Sequence, residues 1–358
     1  MHCDTKHIIF LQAAHNATDE RVCYHQAQAL RDLGHVVDVY GMDSFRSFEP
    51  QAADVYIVDT PIALWKIRRV SAKIIYDVTE WYPSKKNLRN ARFSKLVKAI
   101  VLMMASVWAG YRCSAFIFGE YDKAKPFRFL FPRKKHIFLP YYPDLSYIRP
   151  IAVNDITQVC RVLYAGALTE EKGWGRVLDT MQKAAQQMPQ THFCLDVITK
   201  DACSDLPVCD NLTIRQLEYM PFPQFCEQIT KYDIFLDLRD IDFENTRCLP
   251  IKLFYYMACG RPSIYANLSA ISKGVSEISQ CARLVNNAEE ATDALCEYVC
   301  NRELYQSHCS NALHSSIDKY NWNRIKSSFV QLIYEEVLNH GYCWIFSAIS
   351  KEAHPLHS

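Results

Sequence analysis

From His7 onward, short runs rich in Val, Ile, Leu and aromatic residues alternate with segments of helical spacing, and after residue 150 the same alternation begins again. Apolar runs of this length, separated by helices, suit strands buried on both faces of a parallel sheet that helices cover. The first round places strands at His7–Ala13, His35–Gly41, Asp54–Asp59, Lys73–Val78, Ser114–Gly119 and His136–Leu139. A helix is expected over Asp19–Gly34, capped by Thr18 and stopped by Gly34.

The segment PYYPDLSYIRP, residues 140–150, is rich in Pro and Tyr and reads as a linker. Beyond it, strands are expected at Cys160–Gly166, His192–Ile198, Leu212–Leu217, Asp233–Leu238 and Pro262–Ala266. Helices are expected at Trp174–Gln187, Pro223–Lys231 and Pro250–Cys259, and an almost wholly helical stretch at Glu289–Asn339. The pattern predicts an α/β chain of two Rossmann-like domains facing a central cleft. Their bounds are 1–150 and 151–321, with a C-terminal helix at about 322–345 crossing back to pack on the first.

A chain of 358 residues suits two cores better than one. Its 40 basic and 39 acidic residues leave no overall basic field, so no nucleic-acid partner is expected. The 15 cysteines contain no CxxC and the 12 histidines no HExxH, which points to reduced thiols and to no metal site. The apolar run near the N-terminus is too short for a secretory signal, so a cytoplasmic location is expected, with the inner face of the cytoplasmic membrane as a second possibility.

That second possibility comes from residues 89–112, RNARFSKLVKAIVLMMASVWAGYR, whose basic start leads into an apolar remainder shorter than a bilayer span. Two readings stand: a buried domain helix with a solvated basic end, or a helix lying on an anionic membrane surface, assisted by PFRFLFPRKK at 126–135.

The strand ending in Ala165-Gly166 runs through ALTEEKGW into a helix, bringing backbone N–H groups and Lys172 to the carboxyl edge of a sheet. Open α/β sheets bind ligands at that edge, and helix N-termini there suit anions. The helix beginning at Pro250 adds a second such end, so the two with Lys172 form a candidate diphosphate site.

Taken together, DERVCYHQAQALRDLGHVVDVYG, IIYDVTEWYP, VLYAGALTEEKGW, LPIKLFYYMACGRPSI and YNWNRI resemble segments of the GT-B glycosyltransferases. The likeness is to the retaining group that uses nucleotide diphosphate sugars (glycosyltransferase family 4-like, group 1). The last donor-domain segment is similar to the pattern P-x-K-x-F-E-Y-M-A-x-G-x-P and is the most specific match.

The resemblance implies transfer of a sugar from a nucleotide diphosphate donor to a saccharide or lipid-linked acceptor in surface polysaccharide biosynthesis, with retention. The nucleotide sugar is then a co-substrate, and no cofactor or metal is implied. It also implies site residues. Gly166, Lys172, Arg247 and Leu249 would hold the donor diphosphate, and Glu244, Lys252 and Tyr255 the nucleoside or sugar. His15, Asp19 and Glu80 would be catalytic, and Arg21 and Thr79 would bind the acceptor.

Four positions depart from the family pattern. Tyr255 stands for the ribose-binding glutamate, Arg247 for its partner eight residues earlier, Ala167 for an arginine, and Thr79 for the histidine of YDxHE. A phenol is a weaker partner for two ribose hydroxyls than a carboxylate, so Asp240, Asp242 or Glu244 is a candidate substitute. The departures leave a second reading open: an idle glycosyltransferase-like subunit that binds a partner transferase. A nicotinamide-dependent enzyme is a third, although no GxGxxG follows either first strand.

Overall fold

The computed structural model describes residues 4–80, 83, 84, 88, 94–203 and 206–337. The chain divides into two compact units, one comprising residues up to Pro140 together with those from Asn323, the other Tyr141–Trp322.

The first unit is built on strands β1 (His7–Leu11), β2 (Val36–Tyr40), β3 (Val55–Val58), β4 (Lys73–Val78), β5 (Ala115–Phe118) and β6 (Lys135–Phe138). They form one parallel sheet in the order β2-β1-β3-β4-β5-β6. The inner strands β3 and β5 are buried at every residue, as an unbroken apolar run requires. The edge strands β2 and β6 are not: most of their residues are half-buried or exposed, because each has a neighbour on one side only.

A π-helix, Glu20–Ala27, follows β1 and continues as the α-helix Gln28–Arg31. Its cap is Asp19 rather than Thr18: the Asp19 carboxylate accepts from the Val22 N–H at 3.4 Å. Gly34 adopts φ +84°, which lets the chain turn back into β2. Among the described residues, helices Pro61–Lys66, Lys95–Arg112 and Tyr121–Leu130 also belong to this unit. Helix Trp322–Val337 reaches this unit through Glu335, 3.2 Å from Lys135, and through Tyr334, whose ring lies edge-on to His35. The remainder of the expected 322–345 helix lies outside the described residues.

The second unit holds β7 (Val159–Ala165), β8 (His192–Ile198), β9 (Leu212–Leu217), β10 (Ile234–Asp237), β11 (Ser263–Ala266) and β12 (Ala282–Val285). All are parallel, in the order β12-β11-β10-β7-β8-β9. One face packs on helices Trp174–Gln187 and Ala288–Cys300. The other packs on Phe222–Ile229 and Ile251–Ala258.

Strand β12 was not expected, since Arg283 interrupts its four residues and leaves little apolar signal, although Ala282 and Val285 are buried. Segment 140–150 is also more than a linker. Tyr142 packs edge-on to Phe254 at 4.7 Å, Tyr147 packs on Phe222 at 5.3 Å, and Ile148 is buried, so its aromatic residues strap it to the second unit.

No described cysteine is in a disulfide. No described helix is long and apolar enough to cross a membrane.

Candidate active site

In each sheet the strand order reverses beside the unit's first strand, between β1 and β3 in one and between β7 and β10 in the other. Loops leaving the carboxyl ends of two such strands diverge to opposite faces and leave a crevice. Of the residues expected from the sequence, His15, Asp19 and Thr79 lie at the first of these places and Gly166, Lys172 and Lys252 at the second, and each group is described within its own unit.

In the first unit, the loop after β1 is pinned by Asp59, which follows β3. The Asp59 carboxylate is wholly buried and accepts from the N–H groups of Ala13 and Ala14, both at 2.8 Å. Burial raises the Asp59 pKa against these two bonds. The pinned loop presents His15, whose Nε2 lies 3.2 Å from the Thr79 hydroxyl and whose Nδ1 lies 3.5 Å from Asp19. Burial pulls the His15 imidazole down, but the hydrogen bond and charge of Asp19, with the charges of Asp59 and Asp77, outweigh it and raise its pKa. Asp19 shows the reciprocal effect: burial raises it, yet His15 and Arg21 hold it below the ordinary carboxylate value. His15, Asp19 and Thr79 are therefore one cluster, with half-buried Glu80 next along the chain.

Arg21 does not face outward as an acceptor-binding residue would. It is 3% exposed, and its Nη1 donates to Asp77, itself 2% exposed, at 2.6 Å. The first turn of the π-helix swings the guanidinium over β4, where the Asp77 charge balances it.

The His15–Asp19 pair makes stability depend on pH. Protonated His15 has a folded pKa above its unfolded value, so its contribution is complete below about pH 6.5 and is lost as pH rises through the raised value. Asp19, with a lowered folded pKa, contributes above its unfolded value and loses that contribution as pH falls through the folded one. The pair is thus most stabilising between about pH 4 and 6.5. Asp19→Asn is expected to cost up to about 1 kcal/mol at pH 6 and less at pH 8.5, measured by denaturant titration. An equal cost at both pH values would contradict the pairing.

In the second unit, the loop after β7 is closed by Tyr164, whose hydroxyl donates to the Ala167 carbonyl at 2.7 Å and the Lys172 carbonyl at 3.3 Å. Gly173 has φ +78°, and a Cβ there would lie 1.9 Å from the Leu238 carbonyl oxygen, so only glycine lets this loop meet the end of β10. Arg176 fastens the two, donating to Leu238 O at 2.7 Å and to Asp240 at 2.7 Å.

Lys252, on the first turn of helix Ile251–Ala258, donates to the Ala165 carbonyl beside Gly166. Beneath lies Asp237 at the end of β10, which Arg239 grips through two hydrogen bonds. Burial raises the Asp237 pKa, but Arg239, then Lys252 and Lys172, overcome this and leave it lowered. Gly166, Lys172 and Lys252 thus share one crevice edge, whose backbone and cations suit a diphosphate.

The other expected donor residues sit differently. Arg247 folds onto its own loop, its guanidinium 3.7 Å from the Phe243 ring centroid and donating to Phe243 O at 2.8 Å. Leu249 is half-buried and packs against the core. Of the candidate acids, Asp240 is engaged with Arg176, and Asp242 shapes the turn by accepting from the N–H groups of Glu244 and Asn245. Glu244 precedes the short 3-10 turn Asn245–Arg247.

Tyr255 is a core residue. It is 2% exposed and lies edge-on to Phe222 and Phe225, while Tyr256 stacks on Phe235 with centroids 3.8 Å apart. The adjacent tyrosines thus serve two contacts at once, one with a neighbouring helix and one with the sheet.

Neither family models nor the sequences of curated proteins match the chain. Solved structures do. A sucrose-phosphate synthase from Thermosynechococcus elongatus aligns with a TM-score of 0.67 at 12% identity, over 94% of this chain and 100% of that one. WaaG, a glycosyltransferase involved in lipopolysaccharide biosynthesis, gives 0.64 at 12% identity over 93% and 100%. HepE of Anabaena, solved in complex with UDP-glucose, gives 0.61 at 15% identity over 92% and 100%. With two six-stranded parallel sheets, each covered by helices, the chain has the GT-B fold of these glycosyltransferases.

Proposed function

We propose that the protein is a glycosyltransferase that moves a sugar from a nucleotide diphosphate donor to a saccharide or lipid-linked acceptor in surface polysaccharide biosynthesis, with retention and without a metal. The observation that carries this reading is the edge between β7 and β10, where Lys172, Lys252 and the backbone of Gly166 meet. HepE, of the same fold, was solved with UDP-glucose, and a pneumococcal O-GlcNAc transferase that also aligns was solved with UDP and GlcNAc.

In the reaction, the bond from the anomeric carbon to the diphosphate oxygen breaks and a bond to the acceptor oxygen forms on the same face. The acceptor proton passes to the departing diphosphate. Lys172 and Lys252 stabilise the charge that develops on the leaving group. His15, Asp19, Thr79 and Glu80 orient the acceptor hydroxyl.

The test is incubation with a panel of nucleotide sugars and a lipid-linked acceptor. Release of nucleoside diphosphate, with a product of the donor's anomeric configuration, is expected; no release with any donor would count against the proposal. Tyr255 in the core, where the family pattern has a ribose-binding glutamate, favours the alternative of an idle subunit bound to a partner transferase. Calorimetry distinguishes it by tight binding to another transferase with no binding of uridine or guanosine diphosphate.

A further inference from the structure

The helix Lys95–Arg112 buries only Ser106, Ala109 and Gly110 of its 18 residues. Its C-terminal end is firmly held. Lys134 donates to the carbonyls of Gly110 at 2.6 Å, Tyr111 at 2.8 Å and Cys113, and a Cβ on Gly110 would lie 2.2 Å from the Phe131 ring. This corrects the expectation for part of the basic cluster 126–135. Lys134 caps a helix, and Lys135 pairs with Glu335, so neither is an unengaged surface cation.

Away from that anchor, Leu96, Val97, Ile100, Val101, Met103 and Met104 are all exposed, with Leu96 at 69% and Met104 at 65%. Their spacing places them on one stripe of the helix. Tyr111, 71% exposed, continues the stripe to the anchored end. The stripe widens sideways, because Trp65 on helix Pro61–Lys66 is 56% exposed and meets Trp108 at 5.2 Å, with the Arg68 guanidinium 4.6 Å from its ring.

Its charge is one-sided. The helix carries Lys95, Lys98 and Arg112 and no acidic residue. Beyond Tyr111, whose ring contacts Phe131, lies an open cavity of about 340 Å³ lined by Lys125, Arg128, Phe129, Phe131, Pro132 and His136, with Phe129 84% exposed.

A contiguous apolar stripe of this size on a soluble domain marks an interaction surface. A second copy of the chain meeting it would set basic residues against basic residues. An anionic bilayer offers hydrocarbon to the stripe and negative headgroups to its cations, and tryptophan suits the interface between them.

We propose that this face of the first unit lies on an anionic membrane, with the stripe in the headgroup boundary and Lys95, Lys98, Arg112 and Arg128 at phosphate level. This surface is independent of the transfer reaction, so either can fail without the other. Arg89 and Arg92, at the start of the segment read as membrane-facing, lie outside the described residues.

The test is flotation of the full chain with vesicles of phosphatidylglycerol and phosphatidylcholine, and with phosphatidylcholine alone. The chain is expected to float with the anionic vesicles and less with the neutral ones. Leu96→Asp/Met104→Asp should bind at least about tenfold more weakly with an unchanged melting temperature, since both side chains are exposed. No flotation with anionic vesicles, or equal flotation of the variant, would overturn the proposal. So would a concentration-dependent dimer that the same variant abolishes in the absence of vesicle binding, which would assign the face to a second copy.

Discussion

Tyr255→Glu is expected to destabilise the second domain by about 3–5 kcal/mol, even though it restores the residue of the family pattern. Tyr255 is 2% exposed and sits between Phe222 and Phe225. A carboxylate there would either lose most of its hydration or remain protonated. The aromatic contacts would disappear in both cases. For a domain of this size the loss corresponds to a fall in melting temperature of about 10 °C. Tyr255→Phe keeps the ring and should cost no more than about 1.5 kcal/mol. Thermal melts of both variants decide the matter. A Glu variant as stable as the parent would mean that position 255 faces an open site rather than the core.

This result bears on how much of the molecule its sequence reveals. Helix Trp174–Gln187 and strands His192–Ile198 and Leu212–Leu217 lie where the pattern predicts them, because the helix has a strongly apolar face and the strands alternate with it cleanly. Strand β12 does not register as an apolar run because Arg283 lies inside its four residues. Segment 140–150 looks like a linker because Pro and Tyr are its local signal, whereas its packing depends on Phe222, Phe254 and Tyr320, far away in the chain.

The candidate site divides along the same line. Gly166 and Lys172 are legible as positions on a sheet edge because a strand and a turn fix them there, whereas Lys252, expected at the nucleoside or sugar, has its ammonium on the Ala165 carbonyl at that same edge. Arg21 looks like a surface residue on a helix start, but its partner Asp77 is on a strand 56 positions later, and only the fold brings the two together. Asp59 and Asp237 did leave a signal: each is a carboxylate at the end of an apolar strand run, where an acid must find partners. Asp59 finds two backbone N–H groups and Asp237 finds Arg239. Tyr255 and Tyr256 are equally apolar in pattern, and only the structure shows that one faces a helix and the other the sheet.

The second large effect concerns the donor edge. Lys252 projects from the first turn of its helix to the end of β7, where its ammonium is bonded to Ala165 O and close enough to Asp237 to lower that acid's pKa. In the proposed donor site, a diphosphate arriving beside Gly166 would meet this ammonium together with Lys172 and the helix N-terminus. A charge-assisted hydrogen bond of this kind contributes about 1.5–3 kcal/mol, so Lys252→Ala should weaken nucleoside diphosphate binding by about 10- to 150-fold. The melting temperature of the variant separates loss of the bond from loss of the fold.

The most direct measurement is therefore calorimetric titration of the protein and of Lys252→Ala with uridine, guanosine and adenosine diphosphate. The protein is expected to bind at least one of them, and the folded variant to bind it at least about tenfold more weakly. Binding of none of the three, or binding unchanged by the substitution, would contradict a donor site between β7 and β10.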